Sequence, residues 1–232
     1  MITVTLDDNT IIKYNTFDDI INYDKIVKLN CSNNNLASLP GSIGNLINLK
    51  ELDCSKNNLL SLPPSIGNLI NLKILYCHKN QLISLPDSIK NLINLKYFYC
   101  SYNQLTSLSD FIGNLINLKK LYCSVNELTS LPDSIGNLIN LKYLNCFDNQ
   151  LTFLSESIGN LINLKELYCY NNQIKELPPT IINLKNIKSF MKDTLTLTPQ
   201  QERYFNWIKS KKSYPFEEYV DMVLVKCAYF GV

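Results

Sequence analysis

The sequence predicts an α/β repeat solenoid, with short parallel strands in register on one side and short helical or 3-10 segments on the other. Three observations carry this. Seven cysteines, Cys31, Cys54, Cys77, Cys100, Cys123, Cys146 and Cys169, recur every 23 residues, and a fixed period of about 20–50 residues marks a stack of like units. Around each cysteine apolar and outward residues alternate, as a strand with one buried face requires. After each strand a proline or serine precedes an isoleucine and a leucine three residues apart, which suits a short helical turn. A repeat array is one continuous body, and this overrides the one or two ordinary domains that 232 residues would otherwise suggest.

Residues 1–25 read as an N-terminal cap, because a solenoid must cover its open ends. A hairpin is expected through Asp8 and Asn9, with Thr16 then capping a short helix over FDDII. The opening MITVTLDDNTIIKY has no basic flank followed by an apolar core, so it does not read as a secretory signal. No apolar run approaches about 18 residues, so no membrane span or membrane partner is expected. An intracellular, cytoplasmic setting follows as the expectation, and it argues against disulfides.

Residues 26–187 form seven repeats. In the third, LKILYCHKNQLISLPDSIKNLIN from Leu72, Leu75 and Cys77 face one way and Ile74, Tyr76 and His78 the other. Pro86 then opens a turn that places Ile89 and Leu92 inward. Asn34, Asn57, Asn80, Asn103, Asn126, Asn149 and Asn172 hold one position of the unit. An inward amide there satisfies backbone groups of the turn leaving the strand and bridges to the next coil. Pro40, Pro63, Pro86, Pro132 and Pro178 set the turn after the strand, and Ser109 and Ser155 replace two of them. The cysteine column has three readings. A free thiol is a small, often buried apolar group. Disulfides between neighbouring strands fit the spacing of about 4.8 Å, but parallel side-chain vectors fit poorly with a dihedral near 90°, and seven is odd. A metal site lacks tetrahedral convergence and a C-x-x-C pair. The core reading is preferred, and no metal or cofactor is expected.

The pattern L-x-x-L-x-L-x-x-N-x-L recurs from Ile26 to Ile174, with cysteine at its third apolar place. In this the chain resembles leucine-rich-repeat proteins. The trailing L-P-x-x-I-G-N-L resembles the intracellular 23-residue class found in Ras-pathway scaffolds. The asparagine-rich, cysteine-substituted version is similar to leucine-rich-repeat proteins of amoeba-infecting giant DNA viruses, which would place the chain in host cytoplasm. The resemblance implies a right-handed solenoid whose parallel sheet is the concave side. It covers about residues 26–187.

Residues 188–232 read as a degenerate repeat and a helical C-terminal cap. Phe190 holds its column, whereas Lys192 and Leu195 stand at the cysteine and asparagine places. Thr198-Pro199-Gln200-Gln201 reads as a capping box with proline at the first helical position. A helix through Trp207 should follow, then a second from Phe216 to Tyr229, with Phe205, Trp207, Phe216, Tyr219 and Phe230 packing on the last coil.

Function is sought by comparing the copies. The segment SIGNLINLK recurs unaltered in four of them, whereas the outward strand positions vary. A binding face on a common frame produces this contrast, and so does drift at unconstrained positions. The varied positions are rich in aromatic residues: Tyr76, His78, Tyr97, Tyr99, Tyr122, Tyr143, Phe147, Tyr168 and Tyr170. Tyrosine combines contact area, a polar tip and low ordering cost, although it also suits strand surfaces generally. These nine residues are the candidate partner-binding site, for a protein or peptide ligand. Lys28, Glu51 and Asp53 make a polar rim at the N-terminal end.

Other columns weigh less. Lys50 to Lys165 line one edge, an acidic column runs from Asp87 to Glu156, and Ile47 to Ile162 make an apolar column, half exposed, that either packs adjacent turns or offers a second contact surface. A net charge of +2, with no basic block, calls for no nucleic acid. His78 is the single histidine and glycines number seven, which leaves one possible base for a nucleophile and no phosphate-cradling loop. The chain therefore reads as a non-enzymatic protein-protein interaction module. The alternative is a substrate-recruiting adaptor of a larger complex, for example a ubiquitin ligase, docking through the C-terminal helices. A third reading, a cysteine enzyme using Cys227, finds no supporting motif.

Overall fold

The computed structural model describes residues 1–21, 23–191 and 197–210. Among these residues ten strands make one sheet: β1 (Ile2–Leu6), β2 (Ile11–Tyr14), β3 (Ile26–Asn30), β4 (Glu51–Asp53), β5 (Ile74–Tyr76), β6 (Tyr97–Tyr99), β7 (Lys120–Tyr122), β8 (Tyr143–Asn145), β9 (Glu166–Tyr168) and β10 (Ser189–Met191). The spatial order is β10-β9-β8-β7-β6-β5-β4-β3-β1-β2. From β3 to β10 the strands run parallel, and each residue pairs with the one 23 positions later, as in Glu51↔Ile74 and Asp53↔Tyr76. The 23-residue period is thus the register of the sheet.

The inward residues stack into one core. Leu52, Leu75, Phe98, Leu121, Leu144 and Leu167 are fully buried, and so are the seven cysteines, each at most 1% exposed. None of these seven thiols is in a disulfide. They are also more than filler. Cys54 N–H and Sγ–H both donate to the Tyr76 carbonyl of the next coil, at 2.9 and 3.3 Å, and Cys77, Cys100 and Cys123 repeat the Sγ contact at 3.4–3.5 Å. A valine would fill the same space without that donor. Burial pushes the Cys100 thiol up to about 12.

The asparagine column works as its position predicts, but it reaches back to the preceding coil. Asn57 Nδ2 donates to the carbonyls of Cys31, Cys54 and Ser55 at 2.9–3.1 Å, and its Oδ1 accepts from Asn34 N–H and Leu36 N–H. Asn34, with no full coil before it, bonds instead to the N-terminal ammonium and the Met1 carbonyl.

The helical side consists of five-residue 3-10 turns, from Gly41–Asn45 and Pro64–Asn68 through Pro179–Asn183. Each begins after an extended residue such as Pro40 (φ −69°, ψ 150°), whose carbonyl accepts from Ile43 N–H. Runs this short favour the tighter i→i+3 winding. A second asparagine ladder, absent from the sequence reading, ties these turns together: Asn71 Nδ2 donates to the Ile47 carbonyl at 3.0 Å, and the contact recurs from Asn94 to Asn186. Gly67 permits the close approach, since a Cβ there would lie 2.6 Å from the Ser88 carbonyl oxygen. In the next unit Lys90 takes the glycine's place, Phe111 takes the serine's, and Lys90 Nζ lies 4.7 Å over the Phe111 ring. The isoleucines Ile47 to Ile162 on this side are 51–55% exposed.

At the N-terminus the hairpin forms as predicted, with Asn9 at φ 68°, and β1 pairs antiparallel to β3. The helix expected after Thr16 does not form. Thr16 N–H and its hydroxyl both donate to Asp19 Oδ2, at 3.0 and 2.9 Å, and Ile20 N–H closes a turn on Phe17. A helix cap needs the hydroxyl as acceptor, and here it is a donor. At the other end α1 (Pro199–Ser210) starts with the predicted box: Thr198 N–H donates to Gln201 Oε1 and Gln201 N–H to Thr198 Oγ1. Gln201 Nε2 and the Tyr204 hydroxyl donate to the Leu177 and Leu184 carbonyls, and Phe205 packs against Phe190 with ring centroids 4.9 Å apart. Trp207 stays 39% exposed beside Tyr204. Lys192, Leu195, the second helix and Cys227 lie outside the described residues.

Candidate functional site

The parallel strands stack at about 4.8 Å, and their sheet forms the concave side of the solenoid. Its outward residues fall in three columns fixed by the register. In the middle column three of the candidate tyrosines stack on neighbouring strands. Tyr76 and Tyr99 have ring centroids 4.7 Å apart with planes 20° apart, and Tyr99 and Tyr122 are at 4.9 Å and 12°. All three rings are half buried. Neighbouring strands set the Cβ spacing, and this spacing matches the contact distance of offset aromatic rings.

The outer columns divide the remaining candidates. Tyr97 and Tyr143 are half buried in the column before the stack. Lys120 stands between them, its Nζ 4.5 Å over the Tyr143 ring. In the column after it, Phe147 and Tyr170 form a separate pair at 4.8 Å and 4°. Three of the nine candidates are buried: His78 is 5% exposed, Tyr168 6% and Phe147 7%. They form the floor of the face and hold its shape. The reason is local, since His78 tucks edge-on against Tyr76 at 6.2 Å, and the Tyr168 hydroxyl donates to Glu166 Oε2 at 2.7 Å.

Protonation states follow from burial. Burial and the neighbouring Tyr76 and Tyr97 push the Tyr99 phenol up to about 12. Tyr76 is raised by burial first, then by Glu51 and Asp53. Both phenols are neutral donors across the physiological range. Burial lowers His78 to about 4, with Lys79 and Lys56 adding to the effect and Asp53 opposing it, so the ring is neutral, and its Nδ1 has no hydrogen-bond partner among the described residues. The polar rim is pinned: Lys28 pairs with Glu51 at 3.2 Å, and Asp53 Oδ1 accepts from Ser55 N–H and Oγ–H. The sequence reading gave little weight to Tyr102, whose ring lies 5.5 Å under Lys79 Nζ. It sits at the left-handed residue after the strand, φ 56°, where alternation no longer tells which way a side chain points.

Among the described residues no three His, Cys, Asp or Glu side chains converge to hold a metal ion. No helix among them is long and apolar enough to cross a membrane. A second, shallow concavity lies between the last coil and α1, lined by Ile182, Lys185, Gln200, Arg203, Tyr204 and Trp207.

Residues 6–132 match a family model described as a leucine-rich repeat region. The chain belongs to the leucine-rich-repeat family. Residues 116–161 and 163–184 match further leucine-rich-repeat models, so the match runs through the array. No curated protein sequence matches this leucine-rich-repeat chain. Solved structures do. A leucine-rich-repeat protein of Leptospira interrogans is 36% identical, with a TM-score of 0.70, over 72% of this chain and 43% of its own. A TDR receptor is 28% identical (TM-score 0.71), over 77% of this chain and 33% of its own. PEPR1-AtPEP1 is 30% identical (TM-score 0.69), over 76% of this chain and 26% of its own. The chain thus spans less than half the length of each.

Proposed function

We propose that this chain is a non-enzymatic protein-interaction module that holds a protein or peptide on its concave sheet, with Tyr76, Tyr99 and Tyr122 as the central contact. The observation that carries this reading is the continuous, half-exposed tyrosine stack on a surface whose frame repeats and whose outward residues do not. Neutral phenols supply hydrogen bonds as well as apolar area. Tyr97, Tyr143 and Tyr170 widen the contact, while His78, Phe147 and Tyr168 support it from below. The kinship with a protein named as a receptor supports the same reading. The ladder cysteines are all buried, the thiols from Cys31 to Cys146 are raised, and His78 is a poor base at pH 7, which leaves no activated nucleophile on this face. An intracellular setting, in host cytoplasm if the chain is viral, belongs to the same proposal and rests on the sequence resemblance.

Peptides selected from a random display library on the immobilised chain test it. They should bind the Tyr99→Ala/Tyr122→Ala variant at least about tenfold more weakly, the scale of an interface hot spot, while its far-UV spectrum stays unchanged. Equal binding would remove the stack from the site.

One observation favours the adaptor reading as a second surface: Trp207 is 39% exposed beside Lys185 and Arg203 in the groove of α1. Deleting residues 198–232 is a poor test, because Tyr204, Phe205 and Ile208 of α1 are buried in the core. Trp207→Ala combined with Arg203→Glu leaves those anchors in place. If this pair weakens recruitment into a larger complex while the display peptides still bind, the groove is the docking element.

A further inference from the structure

We propose that the N-terminal edge of the sheet is a self-association surface, on which β2 of a second copy pairs antiparallel about Ile12. β2 ends the sheet, and among the described residues no strand lies beyond it. Its pairing with β1 decides which backbone groups face outward. Leu6 N–H donates to the Thr10 carbonyl at 2.9 Å, and the register then pairs Thr5 with Ile11, Val4 with Ile12 and Thr3 with Lys13. Bonded and non-bonded pairs alternate along an antiparallel ladder. Leu6/Thr10, Val4/Ile12 and Ile2/Tyr14 are therefore the bonded pairs. The N–H and C=O groups of Ile11 and Lys13 point away from β1, toward the open edge.

The core is also unfinished at this end. Ile12, Tyr14, Phe17 and Tyr23 all pack against it yet remain half exposed, and Ile11 is 64% exposed. At the other end α1 brings Tyr204, Phe205 and Ile208 to 9% exposure or less. A solenoid end facing water needs a polar outer surface; here Lys13, Asn15 and Asp18 are exposed, but the strand edge itself sets exposed Ile11 and half-exposed Ile12 and Tyr14 beside backbone groups that β1 does not use.

A second copy fits this edge in one register. Opposed residues of a sheet share a face, so outward-bonding Ile11 and Lys13 must meet their own kind. Ile11 opposite the partner's Ile11 would carry the ladder into the hairpin turn at Asn9, φ 68°. Lys13 opposite the partner's Lys13 sets like charges against each other, which is unfavourable. Ile11 opposite the partner's Lys13 avoids both. It bonds in both directions at each such pair, places Ile12 against the partner's Ile12 on the core face, and closes under a two-fold axis. The concave faces of the two copies then lie on the same side of one continuous sheet, which would let a two-site ligand gain avidity.

Sedimentation velocity on the full chain, from about 1 to 300 μM, tests the proposal, since a short interface of this kind predicts dissociation at about tens of micromolar. The weight-average coefficient should rise with concentration. Lys13→Pro removes an N–H that β1 does not use, and proline is tolerated on edge strands, so it should weaken dimerisation at least about tenfold with unfolding at low concentration unchanged. Ile12→Cys supplies a second readout, because non-bonded pairs bring Cα atoms to about 4.5 Å, within reach of a disulfide. Oxidation should cross-link this variant and not the parent chain. A wild-type chain that stays monomeric throughout, a folded Lys13→Pro variant that dimerises as before, or an Ile12→Cys variant that does not cross-link each overturns the proposal.

Discussion

Replacing Asn149 with alanine tests what holds the coils together. Its Nδ2 donates to the carbonyls of Cys123, Cys146 and Phe147 at 3.0–3.2 Å, and its Oδ1 accepts from Leu128 N–H at 3.0 Å. The residue is 9% exposed, so water does not readily replace these partners. With each buried hydrogen bond contributing a net ~1 kcal/mol, and more where a partner is left unsatisfied, Asn149→Ala should cost about 4 kcal/mol. That is a large part of the ~5–15 kcal/mol expected for a folded chain. At roughly 2–4 °C per kcal/mol for this length, the melting midpoint should drop by about 8–16 °C. The control is Asn140→Ala in the outer ladder, where a single exposed bond to the Ile116 carbonyl is lost, and less than ~1 kcal/mol is expected. Urea unfolding followed by far-UV circular dichroism reads both. Equal losses from the two variants would refute the argument that burial, not bond count alone, gives the inner ladder its weight.

Three further outcomes follow from the same geometry. Val125 sits at φ 52°, where a β-branched residue is strained, and Asn33 and Asn171 occupy the equivalent place in other coils; Val125→Asn should stabilise by about 1 kcal/mol in chemical denaturation, and a loss would count against the strain. His78 has a folded-state value near 4, against an ordinary 6.5, so the fold favours the neutral ring. Its contribution is fully present above about pH 6.5 and is lost as pH falls toward 4; His78→Phe should flatten the stability profile in that window, and an unchanged profile would contradict the assignment. The ladder thiols, from Cys31 to Cys169, are all buried, and those from Cys31 to Cys146 are raised by desolvation. Iodoacetamide at pH 8 should leave all seven unmodified until urea is added, and peptide mapping that finds native labelling of Cys77 or Cys100 would show the core to be open.

Much of this molecule can be read in its residues because repetition averages out local ambiguity. A single LYC or FYC segment is too short to distinguish a strand from a turn, but seven copies in register are not. The tyrosine stack was legible for the same reason: once Cys77, Cys100 and Cys123 point inward, Tyr76, Tyr99 and Tyr122 must point outward on adjacent strands. Where the period does not extend, local signals misled. Thr16 precedes Asp19 in a pattern that resembles a helix cap, yet its hydroxyl serves as donor in a tight turn.

The amino-acid sequence alone determines the unit, its register and the inward and outward faces, since strand alternation and a fixed 23-residue step leave only one consistent arrangement. It does not determine depth within a face. His78, Phe147 and Tyr168 share outward columns with Ser101 and Tyr76, and only the packing of neighbouring side chains decided that they lie beneath the surface. Nor does it determine which hydrogen-bonding groups are left over at the ends. Those depend on the phase of the β1–β2 ladder, a long-range pairing that no local pattern encodes.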